Sequence, residues 1–127
     1  MKLLLDTNRY TDFARGDSVV VDPVQSATKI FSPFIVLGEL RRGFLAGTQA
    51  RENQATLARV LQRPTVSTRY ADGETTHHYA AIYSQLRGQG TPVPTNDLWI
   101  AALGVQHELI PFTRNPYFKH IPQLAQN

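Results

Sequence analysis

The stretch Lys2-Leu3-Leu4-Leu5 is followed at once by Asp6-Thr7-Asn8, and this change from aliphatic to polar side chains decides the fold class. An unbroken aliphatic run without alternating polar residues predicts a short strand that is covered on both faces. The polar residues after it are typical of helix starts, so we expect a strand-to-helix turn at Asp6. A buried strand that leads directly into a helix is characteristic of parallel α/β sheets.

The rest of the chain repeats this alternation of short apolar runs and amphipathic segments. We predict further strands at Lys29–Phe31, Pro64–Thr68 and Leu109–Thr113. Helices are predicted between them, with expected bounds Arg9–Ala14, Phe34–Ala46, Gln49–Gln62, Asp72–Arg87 and Thr95–Gln106. The segment Val19–Ala27 is ambiguous because Pro23 interrupts it. The pattern predicts an α/β domain with a mainly parallel central sheet and helices on both faces.

The composition fits one domain and excludes some chemistry. Because 42% of the 127 residues are hydrophobic and no linker-like tract divides the chain, we expect residues 1–127 to form a single domain. Cysteine is absent, which excludes disulfides, thiolate nucleophiles and cysteine-bound zinc. Together with the lack of a signal-like or membrane-length apolar run, this leads us to expect a cytoplasmic protein. The net charge of +3 gives only weak support for a polyanionic partner.

Four polar side chains lie inside apolar runs or at their ends, where an unpaired charge is costly. They are Asp6, Glu39, Asp97 and Asn115. A carboxylate in such surroundings needs a hydrogen bond, an ion pair or a bound cation. Ligands of parallel sheets bind beyond the carboxyl ends of the strands, where Asp6 and Asn115 are expected. The set predicts a shared site for a divalent metal, and oxygen ligands suit Mg²⁺ or Mn²⁺.

Each of these residues also has a purely structural explanation. Asp6 is explained equally well as a helix N-cap, and Asn115 as part of a turn. Asp97 would complement the positive end of a helix, an effect of about 0.3–1 kcal/mol. Glu39 would pair with Arg42 at helical spacing. The prediction of a site therefore depends on all four residues occurring together.

Several sequence motifs resemble the conserved motifs of PIN-domain ribonucleases, above all the VapC-type toxins of toxin–antitoxin pairs. They are Leu4-Leu5-Asp6-Thr7-Asn8, Leu37-Gly38-Glu39-Leu40 with Gly43, and Pro94-Thr95-Asn96-Asp97-Leu98-Trp99-Ile100-Ala101-Ala102. The segment 112–118 is similar to the last motif of that family, and order and spacing match over nearly the whole chain. The resemblance implies a PIN-like three-layer α/β/α domain.

The resemblance also implies a metal-dependent endoribonuclease that hydrolyses RNA phosphodiesters. Asp6, Glu39 and Asp97 match acidic positions of the family and would hold Mg²⁺ or Mn²⁺, directly or through water. Asn115 would complete the catalytic set, although the family often has an acidic residue at this position. We therefore expect one firmly held ion, with a second recruited mainly by the RNA phosphate.

Residues beside these motifs are expected to support the site. Thr7 and Thr113 would position a water or a ligand through their hydroxyl groups. Asn8 and Asn96 would hydrogen-bond the carboxylates. The arginines expected to contact RNA phosphates are Arg9, Arg41, Arg42 and Arg114.

The same resemblance implies a homodimer and an antitoxin protein whose C-terminal tail covers the site, without membrane association. Two other functions remain open. One is a PIN fold that binds RNA or an antitoxin without cleaving, with Asn115 as the sign of a decayed site. The other is a phosphotransfer domain built on a strand-end aspartate, for which a phosphatase would need a second aspartate where Asn8 stands.

Overall fold

Four parallel strands form the centre of the molecule in the computed structural model, which describes residues 1–125. The last two positions of the predicted domain 1–127 lie outside the described residues. The strands are β1 (Lys2–Leu5), β2 (Lys29–Pro33), β3 (Val66–Arg69) and β4 (Ile110–Phe112). All pair in parallel, in the order β3-β2-β1-β4. The leucines of β1 are at most 3% exposed, which confirms the strand covered on both faces.

Six α-helices connect and cover these strands within residues 1–125. They are α1 (Thr7–Ala14), α2 (Ser18–Ser26), α3 (Phe34–Ala46), α4 (Ala50–Leu61), α5 (Gly73–Gln89) and α6 (Thr95–His107). A 3₁₀ helix, Pro116–His120, follows β4. The predicted three-layer α/β/α architecture is confirmed. None of the helices in the described range has both the length and the apolar character needed to cross a membrane.

The structure resolves the ambiguous segment and corrects one helix end. Most of Val19–Ala27 is helical and forms part of α2, because Val20 and Val24, four residues apart, are buried on one face of the helix. Pro23 lacks a backbone N–H and therefore leaves only the Val19 carbonyl without its helical hydrogen bond. The prediction that α5 ends at Arg87 and is stopped by Gly88 is wrong. The helix continues to Gln89 and ends where Gly90 adopts a left-handed conformation with φ of 72°.

Small side chains hold α6 close to the sheet and so fix the position of Asp97 in its first turn. Ala101 and Ala102 are fully buried. A Cβ atom added at Gly104 would lie 2.8 Å from the Leu124 side chain and 3.5 Å from that of Leu4. Such close packing leaves α6 little freedom to move relative to β1.

The carboxyl ends of the strands share one edge of the sheet, and each is followed by a residue of functional interest. These residues are Thr113 after β4, Asp6 after β1, Phe34 after β2 and Tyr70 after β3. Since β2 and β4 lie on opposite sides of β1, the crevice between β1 and β4 is the topological switch point, where α/β sheets usually bind ligands.

Candidate active site

Asp6 lies at this switch point and is fixed by hydrogen bonds on both carboxylate oxygens. Its Oδ1 accepts the Thr7 backbone N–H at 2.7 Å, so Asp6 is indeed the N-cap of α1. Its Oδ2 accepts the Thr113 hydroxyl at 2.7 Å. Asp6 is only 4% exposed. The cap role of Asp6 is therefore compatible with a place in the site, because one oxygen caps the helix and the other faces the end of β4.

Thr7 connects Asp6 to the second carboxylate. Its hydroxyl donates to Glu39 Oε1 at 2.9 Å, and this bond joins the start of α1 to the middle of α3. In the described part of the chain no lysine, arginine or histidine nitrogen lies within 4 Å of Glu39. The expected pairing with Arg42 is therefore not formed, although both residues line a groove of about 260 Å³.

Asp97 is the third carboxylate, and its surroundings disfavour its charge. Burial is the main reason that its pKa lies above the usual value for aspartate. A hydrogen bond from Asn115 Nδ2 to Asp97 Oδ2, 2.9 Å long, opposes this increase in pKa. The negative charges of Asp6 and Glu39 add to it. Asp97 thus lies close enough to both other carboxylates to interact with them electrostatically, as a shared site requires.

Asn115 orients Asp97 and has no free amide atom left within the described structure. While Nδ2 donates to Asp97, its Oδ1 accepts the Tyr117 backbone N–H at 3.0 Å and caps the 3₁₀ helix. The turn explanation is therefore also true. Because the carboxamide oxygen is already engaged, Asn115 acts in this structure as a positioning residue for Asp97.

Asn8 and Asn96 do not make the contacts expected of them. Asn8 Nδ2 donates to Thr113 Oγ1 at 3.4 Å and its Oδ1 accepts the Arg114 backbone N–H at 3.0 Å, so Asn8 holds the loop after β4 instead of a carboxylate. Asn96 is exposed and makes no side-chain hydrogen bond within residues 1–125. It lines the groove beside Glu39.

Two of the four arginines are occupied by Asp12, a residue that sequence reasoning missed. Arg114 donates to Asp12 from Nε to Oδ2 at 2.9 Å and from Nη2 to Oδ1 at 3.1 Å. Arg9 Nη1 lies 3.5 Å from the same Oδ2. The hydrogen bond from Arg114 is the main reason that the pKa of Asp12 is lowered. The only sequence signal was the i,i+3 spacing of Arg9 and Asp12. Arg41 and Arg42 are exposed and form no ion pair within the described range.

The donor set of this site fits a hard divalent cation. Glu39 Oε2 and Asp97 Oδ1 accept no hydrogen bond from the described residues, and no cationic side chain there pairs with Asp6, Glu39 or Asp97. Within residues 1–125 no three acidic, histidine or cysteine side chains form a ready-made metal cluster. Mg²⁺ commonly takes one or two carboxylates and keeps several waters, so an open arrangement of this kind suits it.

Comparisons with known proteins agree with this geometry. A family model described as "PIN domain" matches residues 3–124. The chain is 30% identical over 121 residues to Ribonuclease VapC4 of Mycobacterium tuberculosis, covering 94% of this chain and 80% of that protein.

Solved structures match over almost the entire chain. A chain from the crystal structure of VapBC2 from Rickettsia felis, bound to a promoter DNA fragment, has a TM-score of 0.90 at 24% identity, covering 100% of this chain and 98% of that chain. One from VapBC-5 of Mycobacterium tuberculosis has a TM-score of 0.73 at 25% identity, covering 98% and 96%. The chain therefore belongs to the PIN-domain family and is a VapC-like member of it.

Proposed function

We propose that this protein is a divalent-metal-dependent endoribonuclease, the toxin of a toxin–antitoxin pair. The observation that carries the proposal is the group formed by Asp6, Glu39 and Asp97 at the switch point of the sheet. The charges of Asp6 and Glu39 disfavour that of Asp97, and no cationic side chain in the described range balances the group. The similarity to a protein named Ribonuclease VapC4 supports RNA as the substrate.

In this proposal the three carboxylates hold Mg²⁺ or Mn²⁺, directly or through water. When bound, such an ion supplies an activated water and offsets negative charge on the scissile phosphate. Hydrolysis would form one P–O bond to the water oxygen and break the bond to the leaving oxygen, which would take up the proton that the water gives up. Thr113 keeps Asp6 in place, Thr7 keeps Glu39 in place and Asn115 keeps Asp97 in place, which leaves Glu39 Oε2 and Asp97 Oδ1 free to bind the ion or its waters.

The arginines have different parts in this proposal. Arg42 is exposed in the groove beside Glu39, and Arg41 is exposed on the same helix; both are available to bind RNA phosphates. Arg9 and Arg114 are already paired with Asp12. The ion pair of Arg114 with Asp12 joins the loop after β4 to α1. To contact RNA, Arg9 and Arg114 would have to bind a phosphate while keeping their ion pairs with Asp12.

The proposal includes a homodimer and an antitoxin partner. Its support is that matched chains come from structures of VapBC assemblies, one of them of a "VapBC family of toxin-antitoxin systems". Coexpression with the product of a neighbouring gene, followed by copurification and a test of inhibited RNA cleavage, examines the partner directly.

A binding module without catalysis is the second candidate, and the engaged carboxamide of Asn115 favours it. A neutral side chain whose oxygen caps the 3₁₀ helix adds no negative ligand to the site. In this case the protein would bind RNA or its antitoxin through the same surface and leave the phosphodiester intact.

Cleavage of RNA by metal-stripped protein separates the two candidates. Total RNA and then isolated tRNA are incubated with added Mg²⁺ or Mn²⁺, and Asp97→Asn protein purified in parallel controls for contaminating nuclease. We expect discrete fragments that require the metal and that the variant does not produce. Intact RNA with both metals, from folded protein free of antitoxin, would favour the binding module.

A further inference from the structure

A stacked pair of aromatic rings, one partly buried and the other largely exposed, lies at the same edge of the sheet as the carboxylates. Pro33 and Arg69 are register partners at the ends of β2 and β3. The residues that follow them, Phe34 and Tyr70, stack with ring centroids 6.4 Å apart and an interplanar angle of 19°. Tyr70 is 68% exposed. Neither ring belongs to the hydrophobic core or to the apolar side chains packed against it, so the pair does little for folding.

The groove beside Glu39 connects Phe34, one ring of this pair, to the proposed active site. Phe34 and Glu39 line the same groove, together with Asn96 and Arg42. The two residues are five positions apart on α3, which places them about 7.5 Å apart along the helix axis. Stacked nucleotides of one strand rise by about 3.4 Å each, so this separation corresponds to roughly two nucleotides.

The charges around the rings suit a nucleic-acid strand. Arg42 is exposed in the groove and has no carboxylate partner within residues 1–125. The Arg69 guanidinium lies 4.4 Å from the centroid of the Phe31 ring, and its buried Nε has no hydrogen-bond partner in the described structure. Positive charge that follows a groove, with an aromatic face beside it, is the pattern by which proteins hold single strands.

We propose that Phe34 and Tyr70 form a stacking platform for an unpaired base of the RNA, about two nucleotides from the phosphate that is cleaved. This inference rests on the proposed ribonuclease function. It specifies the substrate further as single-stranded RNA or a loop, because the faces of paired bases in a duplex are covered by their neighbours. Every base has a π-face, so the platform selects an unpaired nucleotide without selecting its sequence.

Binding of RNA in the absence of cleavage tests the platform. In an Asp97→Asn background with Mg²⁺ present, the affinity for a short fluorescent single-stranded RNA and for the matching duplex is measured by anisotropy. Tyr70→Ala should weaken single-strand binding by on the order of 5- to 100-fold, and Tyr70→Phe should restore it, because the ring and not the hydroxyl makes the contact. Tyr83→Ala is the matched control, since Tyr83 is 50% exposed and lies on α5, where it lines a separate cavity with Leu86 and Pro92.

Several results of the RNA-binding measurements would overturn the platform. They are unchanged single-strand affinity in Tyr70→Ala, a loss of affinity that Tyr70→Phe does not restore, and an equal loss for the duplex. A loss of affinity for a coexpressed antitoxin with unchanged RNA affinity would also overturn it, because the rings would then serve a protein partner. Thermal unfolding of each variant confirms that its fold is intact.

Cleavage assays with Asp97 intact distinguish failure of the platform from failure of the nuclease. If the protein cleaves RNA and Tyr70→Ala does so with the same KM, the ribonuclease stands and the platform is wrong. If no protein cleaves but Tyr70→Ala still weakens single-strand binding, the platform stands in a binding module.

Discussion

Thr113 donates a hydrogen bond to Asp6 across 107 positions of sequence, with 2.7 Å between Thr113 Oγ1 and Asp6 Oδ2. The same hydroxyl oxygen accepts the Asn115 backbone N–H at 2.9 Å. A single side chain therefore sets both the orientation of Asp6, directly after β1, and the course of the loop that carries Asn115, the partner of Asp97. The site is held together by hydroxyl and amide groups, and its carboxylates remain without a cationic partner in the described structure.

Thr113→Val removes this hydroxyl at nearly constant volume. We expect RNA cleavage to fall by about 10- to 100-fold, because groups that orient metal ligands typically contribute this much. Loss of a hydrogen bond to a charged group should also lower the free energy of unfolding by about 1–3 kcal/mol. Steady-state cleavage and urea unfolding measure the two effects. Thr113→Ser keeps the hydroxyl and serves as the control; equal loss in both variants would refute the role of the hydrogen bond.

The raised pKa of Asp97 predicts how the stability of the metal-free protein depends on pH. Between the unfolded and folded pKa values, the native protein binds more protons than the unfolded chain, so the free energy of unfolding decreases as pH rises through this interval. Asp97→Asn does not titrate there. In EDTA we expect it to be at least as stable as the wild type near neutral pH, with a flatter profile.

Urea unfolding in EDTA from about pH 4 to 7 checks this prediction on both proteins. Added Mn²⁺ should stabilise the wild type more than Asp97→Asn, since the ion binds the native state preferentially. Parallel pH profiles for the two proteins would show that Asp97 is not the group responsible.

Asn115→Asp tests why a carboxamide stands at this position. The change removes the Nδ2 donor from Asp97 and adds a like charge beside it, so the pKa of Asp97 should rise further in the metal-free protein. A carboxylate oxygen can still cap the 3₁₀ helix. We expect calorimetry to show tighter or additional Mn²⁺ binding. No gain in affinity or stoichiometry would contradict the view that the carboxamide limits the site to one firmly held ion.

Asp12 is expected to stabilise the protein near neutral pH and not in acid, the reverse of the dependence expected for Asp97. Its pKa is lowered by Arg114, so its contribution is present above the unfolded pKa and is lost as pH falls through the folded one. Asp12→Asn should therefore lower the free energy of unfolding near pH 7 and have little effect in acid. It should also reduce cleavage, because Arg114 then no longer ties the loop after β4 to α1. Asp17→Asn is the control, since Asp17 is the exposed N-cap of α2. An equal loss of activity in Asp17→Asn would indicate a general effect of the lost negative charge.

The sequence predicted the elements well where the signal is local. The aliphatic run of β1 and its polar successor Asp6 place one carboxylate at the sheet edge, and the start of α6 places Asp97 in a first helical turn. The four polar residues were recognised as a set. Helical spacing predicts Tyr83 on the inner face of α5 together with Tyr79, Ile82 and Leu86. This prediction is wrong for Tyr83, which is 50% exposed, whereas the adjacent Ile82 is buried.

The contacts between these elements were not predictable, because they depend on strand order. Thr7 reaches Glu39 across 32 positions and Asn115 reaches Asp97 across 18, distances at which no periodicity applies. Asp12 resembles any surface acid of an amphipathic helix, and only the loop after β4 reveals its partner Arg114. The same holds for the stack of Phe34 and Tyr70, since β3 and β2 had first to be paired.

The most direct test of the central claim is the position of a bound metal ion. Crystals of the protein grown or soaked with Mn²⁺ are measured for anomalous scattering, with Asp97→Asn crystals as the control. We expect a peak among Asp6, Glu39 and Asp97, within direct or water-mediated reach of their oxygens, that weakens or disappears in the variant. Fully occupied Mn²⁺ elsewhere in the molecule, with none at these carboxylates, would contradict the account.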